Sequence, residues 1–188
     1  MSSLSRGHRR LNRPVCLRDL WSRGRRDQSG VAAVDFAFIA PIFIGFVLAL
    51  LQIAVVWFAK AELENGTEAA ARLVLTGQAQ SQGFTQAQFA SALCGDLPGI
   101  FNCSGLMFNL QPQTSITAVD TTAPTLTYDA HGNVTNTWGY NLGAGGQIMV
   151  LQVLYQFPVI AGPLFGFSTQ PNGALLMVAT TVFRNETQ

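Results

Sequence analysis

Charged residues are scarce in this sequence, and one long stretch has none at all. Only 11% of the 188 residues are charged and 48% are hydrophobic, whereas soluble domains carry about 25% charged residues. The chargeless stretch runs from Phe36 to Ala59, and as a helix it reaches about 36 Å, more than a hydrocarbon core of about 30 Å. Because the stretch is apolar all round, it favours a membrane-spanning helix over the alternative of a buried core helix.

The part of the sequence beyond Lys60 lacks the residue sets on which catalysis and metal binding depend. Its one histidine, His131, follows Asp129 in a turn sequence and has no serine or cysteine beside it in a motif. No catalytic triad, metal set or phosphate-binding loop can be named. We therefore expect no enzyme activity, no cofactor, no metal and no small-molecule substrate.

The basic residues are concentrated near the N-terminus. Eight of the 11 lie before residue 30: Arg6, Arg9, Arg10, Arg13, Arg18, Arg23, Arg25 and Arg26. Since basic flanks of a spanning segment stay in the cytoplasm, the N-terminus is predicted inside and residues 60–188 outside. Nucleic-acid binding by these arginines is the alternative. A basic cluster next to a spanning segment is more typical of a topology signal, so we expect no nucleic-acid partner.

Two of the three cysteines lie in the part that is predicted to be exported. Eight residues separate Cys94 from Cys103, and the loop between them contains glycine and proline. In an oxidising compartment this pair favours a disulfide, with two free buried thiols as the alternative. Neither cysteine has a second Cys or His at ligand spacing, which disfavours a metal site. Cys16 lies on the predicted cytoplasmic side.

The junction before the apolar stretch has a distinctive order of residues. Polar residues end at Gly30, small residues follow from Val31, and Asp35 and Phe36 lead into the apolar stretch. Prepilins resemble this arrangement. There a membrane-embedded peptidase cuts behind the glycine and leaves the apolar helix on the mature protein, so the predicted processing site is Gly30–Val31. Residues 59–61 (AKA) resemble a signal-peptidase site instead, but the apolar stretch is too long for a secretory signal peptide.

Asp35 is the single acid at the entrance of the predicted spanning helix. A carboxylate in such a helix costs about 2.5 to 3.5 kcal/mol at the bilayer centre and usually has a partner. If cleavage exposes the amine of Val31, the terminal charge of a neighbouring helix is a suitable partner. We therefore assign filament register and charge pairing to Asp35 and Phe36. The alternative is an aspartate at headgroup depth without a task.

Downstream of the apolar stretch, the helical pattern continues to a stop at Gly77 and then gives way to shorter elements. Residues 78–85 are predicted as a linker, followed by a short helix at Thr85–Leu93. Strand patterns cover Leu106–Leu110, Thr114–Val119, Ile148–Phe157 and Ala174–Phe183, with Pro112 as a breaker between the first two. The predicted fold class is α+β and pilin-like, with a long N-terminal hydrophobic helix, transmembrane and then amphipathic, packed on a small antiparallel sheet.

Two segments of the sequence resemble the TadE/TadG-like family: GVAAVDFAFIAP at 30–41 and AELENGTEAAAR at 61–72, which Thr76 and Gly77 follow. The ending, Tyr155–Pro158 and Phe183–Glu186, is weakly similar to the family's closing strands. The family contains minor pilins and pseudopilins of the bacterial tight-adherence (Flp) pilus. It usually has glutamate where this sequence has Asp35, a change that keeps the charge and shortens the side chain by one methylene.

The resemblance implies a structural component in the assembly of a Tad/Flp-type pilus. It implies a cytoplasmic leader at 1–30, a transmembrane helix that continues into the periplasm at 31–77, and a periplasmic α+β domain at 78–188. The protein is accordingly expected in the bacterial inner membrane as a single-pass protein. The expected partners are the lipid bilayer, other pilins, the Tad assembly platform and a prepilin peptidase.

Two other functions share much of this pattern. A membrane-anchored binding domain of the cell envelope, without a pilus role, differs only in the meaning of Gly30 and Asp35. A eukaryotic type II membrane glycoprotein is the other alternative, because four triplets satisfy the N-glycosylation pattern. They begin at Asn65, Asn102, Asn133 and Asn185.

Overall fold

The computed structural model describes residues 29–186 apart from 116, 118, 120, 121, 160–165 and 167. Residues 1–28 of the predicted leader, including Cys16 and the arginine cluster, lie outside the described residues. The chain divides into two compact units, one up to Leu48 and one from Ala49 onward. Its elements are α1 (Ser29–Leu75), α2 (Gln78–Ser81), α3 (Gln86–Gly95), a 3-10 turn (Cys103–Gly105), β1 (Leu106–Gln113), β2 (Ile148–Phe157) and β3 (Leu175–Arg184).

Helix α1 ends where the sequence predicts. Gly77 adopts the left-handed conformation with φ 74°, which glycine reaches without a steric penalty. The Thr76 N–H donates to the Arg72 carbonyl at 3.0 Å and the Gly77 N–H to the Val74 carbonyl at 3.1 Å. These bonds satisfy carbonyls that would otherwise be left unpaired at the helix end.

The last part of α1 buries one face. Ala59, Leu63, Ala70 and Val74 are fully buried in the hydrophobic core, and Leu73 packs against it. Their spacing places them on one side of a 3.6-residue helix, as the sequence predicts. Beside this face lies the exposed ion pair between Lys60 and Glu64, 3.9 Å apart.

Two short helices follow α1, and only the second of them was predicted. The predicted linker at 78–85 contains the single-turn helix α2, so its first half is not irregular. Helix α3 confirms the predicted short helix. Thr85 caps it, since its hydroxyl accepts from the Gln88 N–H while the Gln88 side chain accepts from the Thr85 N–H. Phe89 and Leu93 are both buried on its core face.

The sheet is antiparallel and three-stranded, in the order β1-β2-β3. β2 has the predicted bounds, and β3 is displaced by one residue from its predicted range. The core face of the sheet packs with α1 and α3 in one hydrophobic cluster. This arrangement confirms the α+β class, a long apolar helix packed on a small antiparallel sheet.

The predictions for the first two strands, Leu106–Leu110 and Thr114–Val119, were wrong at the end of the first and in the existence of the second. β1 continues through Pro112, which lies opposite Met149. Proline is tolerated there because β1 is an edge strand, and the Leu110 N–H, two residues earlier, points away from β2 to the Gly139 carbonyl. The second predicted strand, Thr114–Val119, is absent at its described residues 114, 115, 117 and 119. β2 begins at Ile148 opposite Gln113, so no partner extends further.

β2 is buried on both faces. Its second face buries Val150, Gln152 and Leu154. The chain between β1 and β2 contacts the same face of the sheet. There the Gly139 N–H donates at 3.0 Å to Oδ1 of Asn109, the β1 residue that lies opposite Gln152. A second contact joins the Gln156 amide to the Tyr128 hydroxyl, 2.7 Å apart.

Candidate functional site: the exposed apolar helix

The first part of α1 presents large apolar side chains that no described residue covers. Phe36 is 72% exposed and Trp57 69%. Between them the exposed large hydrophobics are Phe38, Ile39, Ile42, Phe43, Ile44, Phe46, Val47, Leu48, Leu50, Leu51, Ile53 and Val55. Among the described residues one helix is long and apolar enough to cross a membrane, and this is α1. The candidate transmembrane helix of the sequence is therefore supported by length and composition.

The energetic consequence of this exposure is large. Burying one such side chain stabilises by about 1.5 to 3 kcal/mol, and soluble monomers rarely expose contiguous apolar patches beyond a few hundred Å². This surface surrounds the helix rather than forming a stripe. An all-round apolar surface matches lipid or a bundle of like helices.

Asp35 is the only charged residue on α1 before Lys60, and it is exposed. Among the residues that the structure describes, it forms no ion pair. Val31 lies four residues before it, and residues at this spacing are neighbours on one helix face. Phe36 lies beside this face and is also exposed. The site thus combines one carboxylate with an apolar surround.

The predicted processing junction lies in the first turn of α1. The helix begins at Ser29, so Gly30 and Val31 are both helical. A Cβ on Gly30 would meet no atom of the described residues within 4 Å, so their packing does not require glycine at this position. The assignment of Gly30 and Val31 to processing, and of Asp35 and Phe36 to register, stays a prediction.

Pro41 interrupts the hydrogen-bond ladder of α1 without ending the helix. Proline has no N–H, so the carbonyl of Ala37, four residues earlier, loses its intrahelical donor. Spanning helices tolerate proline where neighbouring groups supply the missing contact. The carbonyl of Ala37 is thus a second polar group close to Asp35, which lies two residues before it.

Cys94 and Cys103 are paired in a disulfide, with their Cα atoms 5.7 Å apart. The bond joins the end of α3 to the 3-10 turn before β1. Within the loop that it closes, Leu97 packs directly over Gly66 of α1, where an added Cβ would approach Leu97 Cδ2 to 2.6 Å. The disulfide therefore fixes a loop that contacts the packed part of the long helix.

His131, a residue that catalysis or metal binding could use, and Asn185, which begins a glycosylation triplet, both lie outside α1. His131 is exposed, and its N–H donates to Asp129 Oδ1 at 2.8 Å in a tight turn that Gly132 closes. No group of three or more metal-ligating side chains occurs in the described part of the chain. Asn185 is only 4% exposed, and its amide donates to the Leu142 and Ala144 carbonyls. This triplet is therefore inaccessible to a glycan.

Sequence reasoning missed a groove beside β3. It has a volume of about 150 Å³ and is lined by Glu64, Thr67, Glu68, Ala179, Thr180 and Thr181. The two glutamates are one helical turn apart, which the sequence shows. Their position against the third strand depends on which face of α1 packs on the sheet. The periodicity of the helix predicts a buried face, but it does not predict which strand lies beside Glu64 and Glu68.

Comparison with known proteins adds one result. The family described as TadE-like protein matches residues 30–72, and this match points to a component associated with the Tad pilus, structural rather than catalytic in type. No curated protein and no solved structure matches the chain. The match covers the exposed apolar part of α1 and most of its packed part. The predicted resemblance to this family is thus confirmed over residues 30–72.

Proposed function

We propose that the protein is a membrane-anchored minor pilin or pseudopilin of a Tad/Flp-type pilus. The observation that carries the proposal is the exposed apolar surface of α1, which holds one charge, Asp35, inside the TadE-like segment. Residues 1–30 form the cytoplasmic leader in this proposal. Residues 31–77 cross the inner membrane and enter the periplasm, and residues 78–188 form the periplasmic domain.

Assembly follows from moving the apolar helix out of lipid and into a bundle of like helices. Lipid tails are as apolar as leucine, so this transfer gains little from the hydrophobic effect and depends on van der Waals packing and on polar pairs. Asp35 supplies the polar group. In a filament its carboxylate pairs with the Val31 amine of a neighbouring helix once a prepilin peptidase has cut behind Gly30. Only one axial offset between helices then places the two charges together.

The partners in this proposal are other pilins and the Tad assembly platform, besides the lipid bilayer. The disulfide between Cys94 and Cys103 supports an exported domain, because such bonds persist in oxidising compartments. The eight arginines before residue 30 support a cytoplasmic N-terminus.

The test is the substitution Asp35→Ala, with Asp35→Glu as its matched control. We expect both variants to insert into the membrane and to be processed to an N-terminus at Val31, read by mass spectrometry. Asp35→Ala is expected to lose co-purification with other pilins, whose helices supply the partner charge, whereas Asp35→Glu retains it because the charge remains.

Equal co-purification of all three forms would contradict the role of Asp35. Absence of any pilus component from the wild-type preparation would favour the cell-envelope binding domain instead. Protease added to intact spheroplasts tests the topology separately, since it is expected to digest residues 78–188 and to spare the apolar stretch from Phe36 to Ala59.

A further inference from the structure

The outer edge of β3 has, over residues 175–183, none of the charges, prolines or bulges that often protect an exposed strand edge. Natural sheets blunt exposed edges with charges, prolines or bulges. Residues 175–183 contain neither a charge nor a proline. The register with β2 is also continuous over all its pairs, from Ile148 opposite Arg184 to Phe157 opposite Leu175, so no bulge turns the edge away.

The hydrogen-bond directions show which groups are open on this edge. The Asn185 N–H points toward β2, where it donates to the Gln147 carbonyl, and the Leu176 N–H points outward, where it donates to the Thr169 hydroxyl. Directions alternate along a strand, so Val178, Thr180 and Val182 also point outward. Within the described part of the chain, no backbone group pairs with these three residues. The side chain of Val182 is 41% exposed.

The groove beside β3 lies between this strand and α1. Ala179, Thr180 and Thr181 line it from β3, whose inner edge is occupied by β2. Its opposite wall is α1, which contributes Glu64 and Glu68.

The charges of the groove decide which occupant fits. Lys60 and Arg72 lie one helical turn to either side of the two glutamates and do not line the groove. The Lys60–Glu64 pair is long, and both side chains are half exposed, so water screens it. Two copies that paired β3 to β3 would bring both glutamate pairs to one interface, and such like charges are unfavourable.

We propose that this edge is a docking site for an extended segment of a partner protein, added to the sheet as a fourth strand beside β3. The incoming backbone bonds to Val178, Thr180 and Val182, as in other cases of strand addition. Its central side chain on the α1 side is basic and faces Glu64 and Glu68. Side chains on the other face are apolar and lie beside Val178 and Val182. The proposal does not depend on a pilus role.

The test uses the full-length protein in nanodiscs of zwitterionic lipid. The probe is a short peptide of alternating valine and threonine with one central lysine, and binding is measured by fluorescence anisotropy. We expect saturable binding. The double substitution Glu64→Gln/Glu68→Gln is expected to weaken it about fivefold, while Glu62→Gln, a matched change outside the groove, leaves it unchanged.

Thr180→Pro tests the strand pairing. It removes an outward N–H and leaves the ladder to β2 intact, so we expect binding about tenfold weaker with little change in the melting temperature. If that variant does not fold, a probe peptide methylated at alternate backbone nitrogens tests the same bonds on the wild-type protein and is expected not to bind.

Three outcomes would overturn the proposal. One is equal binding of a peptide with a central glutamate. Another is undiminished binding of the methylated peptide. The third is self-association of the protein that Thr180→Pro removes, which would assign the edge to a second copy.

Discussion

The two parts of α1 differ in what surrounds them, although they form one continuous helix. Up to Phe58 its large side chains are mostly exposed, whereas from Ala59 onward it buries a face against the sheet and α3. The sequence changes at the same place, from apolar all round to amphipathic. A helix is apolar on the sides that meet apolar surroundings. The first part therefore has the surface of a helix whose surroundings are apolar on every side, whereas the second part is apolar only on the side that packs on the domain.

The comparison separates two kinds of stability in one element. Packing of the second part contributes to the free energy of unfolding of the α+β domain. In the proposed membrane anchor, the exposed part contributes instead to the free energy of membrane insertion. Substitutions of the same type are thus expected to have different consequences on the two sides of Ala59. Substitutions on either side of Ala59 test this separation, and the largest effect is expected at Leu63.

Leu63→Ala is expected to lower the free energy of unfolding by about 2 to 5 kcal/mol, because Leu63 is fully buried and its truncation leaves a cavity. Leu51→Ala is the matched control, since Leu51 is 57% exposed, and it is expected to leave domain stability unchanged. Urea unfolding in micelles, followed by near-UV circular dichroism, measures both. Similar losses in the two variants would contradict the separation of the helix into two parts.

Leu48→Arg is expected to impair insertion, because an arginine at the centre of a spanning helix costs about 2.5 to 3.5 kcal/mol. Leu48 lies at the middle of the chargeless stretch from Phe36 to Ala59. The control is Ala61→Arg, at an exposed position beyond the stretch, where no insertion cost is expected. The fraction of protein that resists alkaline extraction from membranes measures both. An unchanged fraction for Leu48→Arg would exclude a spanning role for this stretch.

Much of this division could be predicted from the sequence, for identifiable reasons. Periodicity and length predicted the long apolar stretch, the buried face of α1 and the bounds of β2, because the spacing of apolar residues reflects which side chains are buried. The continuation of β1 through Pro112 could not be predicted, because it depends on β1 being an edge strand. The burial of β2 on both faces likewise depends on the loop that contains Tyr128 and Gly139, whose pairing no local pattern specifies.

The candidate site was predictable only in part. Asp35 is visible in the sequence as a lone charge before an apolar stretch, and the structure places it on the exposed surface of α1. The groove formed by Glu64, Glu68 and β3 was not predictable, because residues more than 100 positions apart line it. Long-range pairing of this kind follows from the register of the sheet and not from local composition.

Replacing both Cys94 and Cys103 by serine is expected to lower the free energy of unfolding by about 2 to 3 kcal/mol, since the disulfide closes a loop of about ten residues in the unfolded chain. The loop packs through Leu97 on the second part of α1, so the loss belongs to the packed part alone. Urea unfolding and membrane extraction are compared for the double variant and for Cys16→Ser. A change in extraction, or equal instability of Cys16→Ser, would contradict this assignment.

The smallest effect is expected at the turn around Asp129, which belongs to neither part of α1. The side-chain amide and the backbone N–H of Asn133 donate to its carboxylate, and these bonds lower the pKa of Asp129 below its ordinary value of 3.8. A carboxyl whose pKa is lower in the folded state adds stability above its unfolded pKa, and that stability is lost as the pH falls below 3.8 and through the folded pKa. The amide shifts of Gly132 and Asn133 are therefore expected to titrate below pH 3.8, and to lose this step in Asp129→Asn. Because the turn lies outside α1, Leu51→Ala is expected to leave the titration unchanged, and a shift of its midpoint in that variant would show that the exposed part of the helix and the domain are coupled after all.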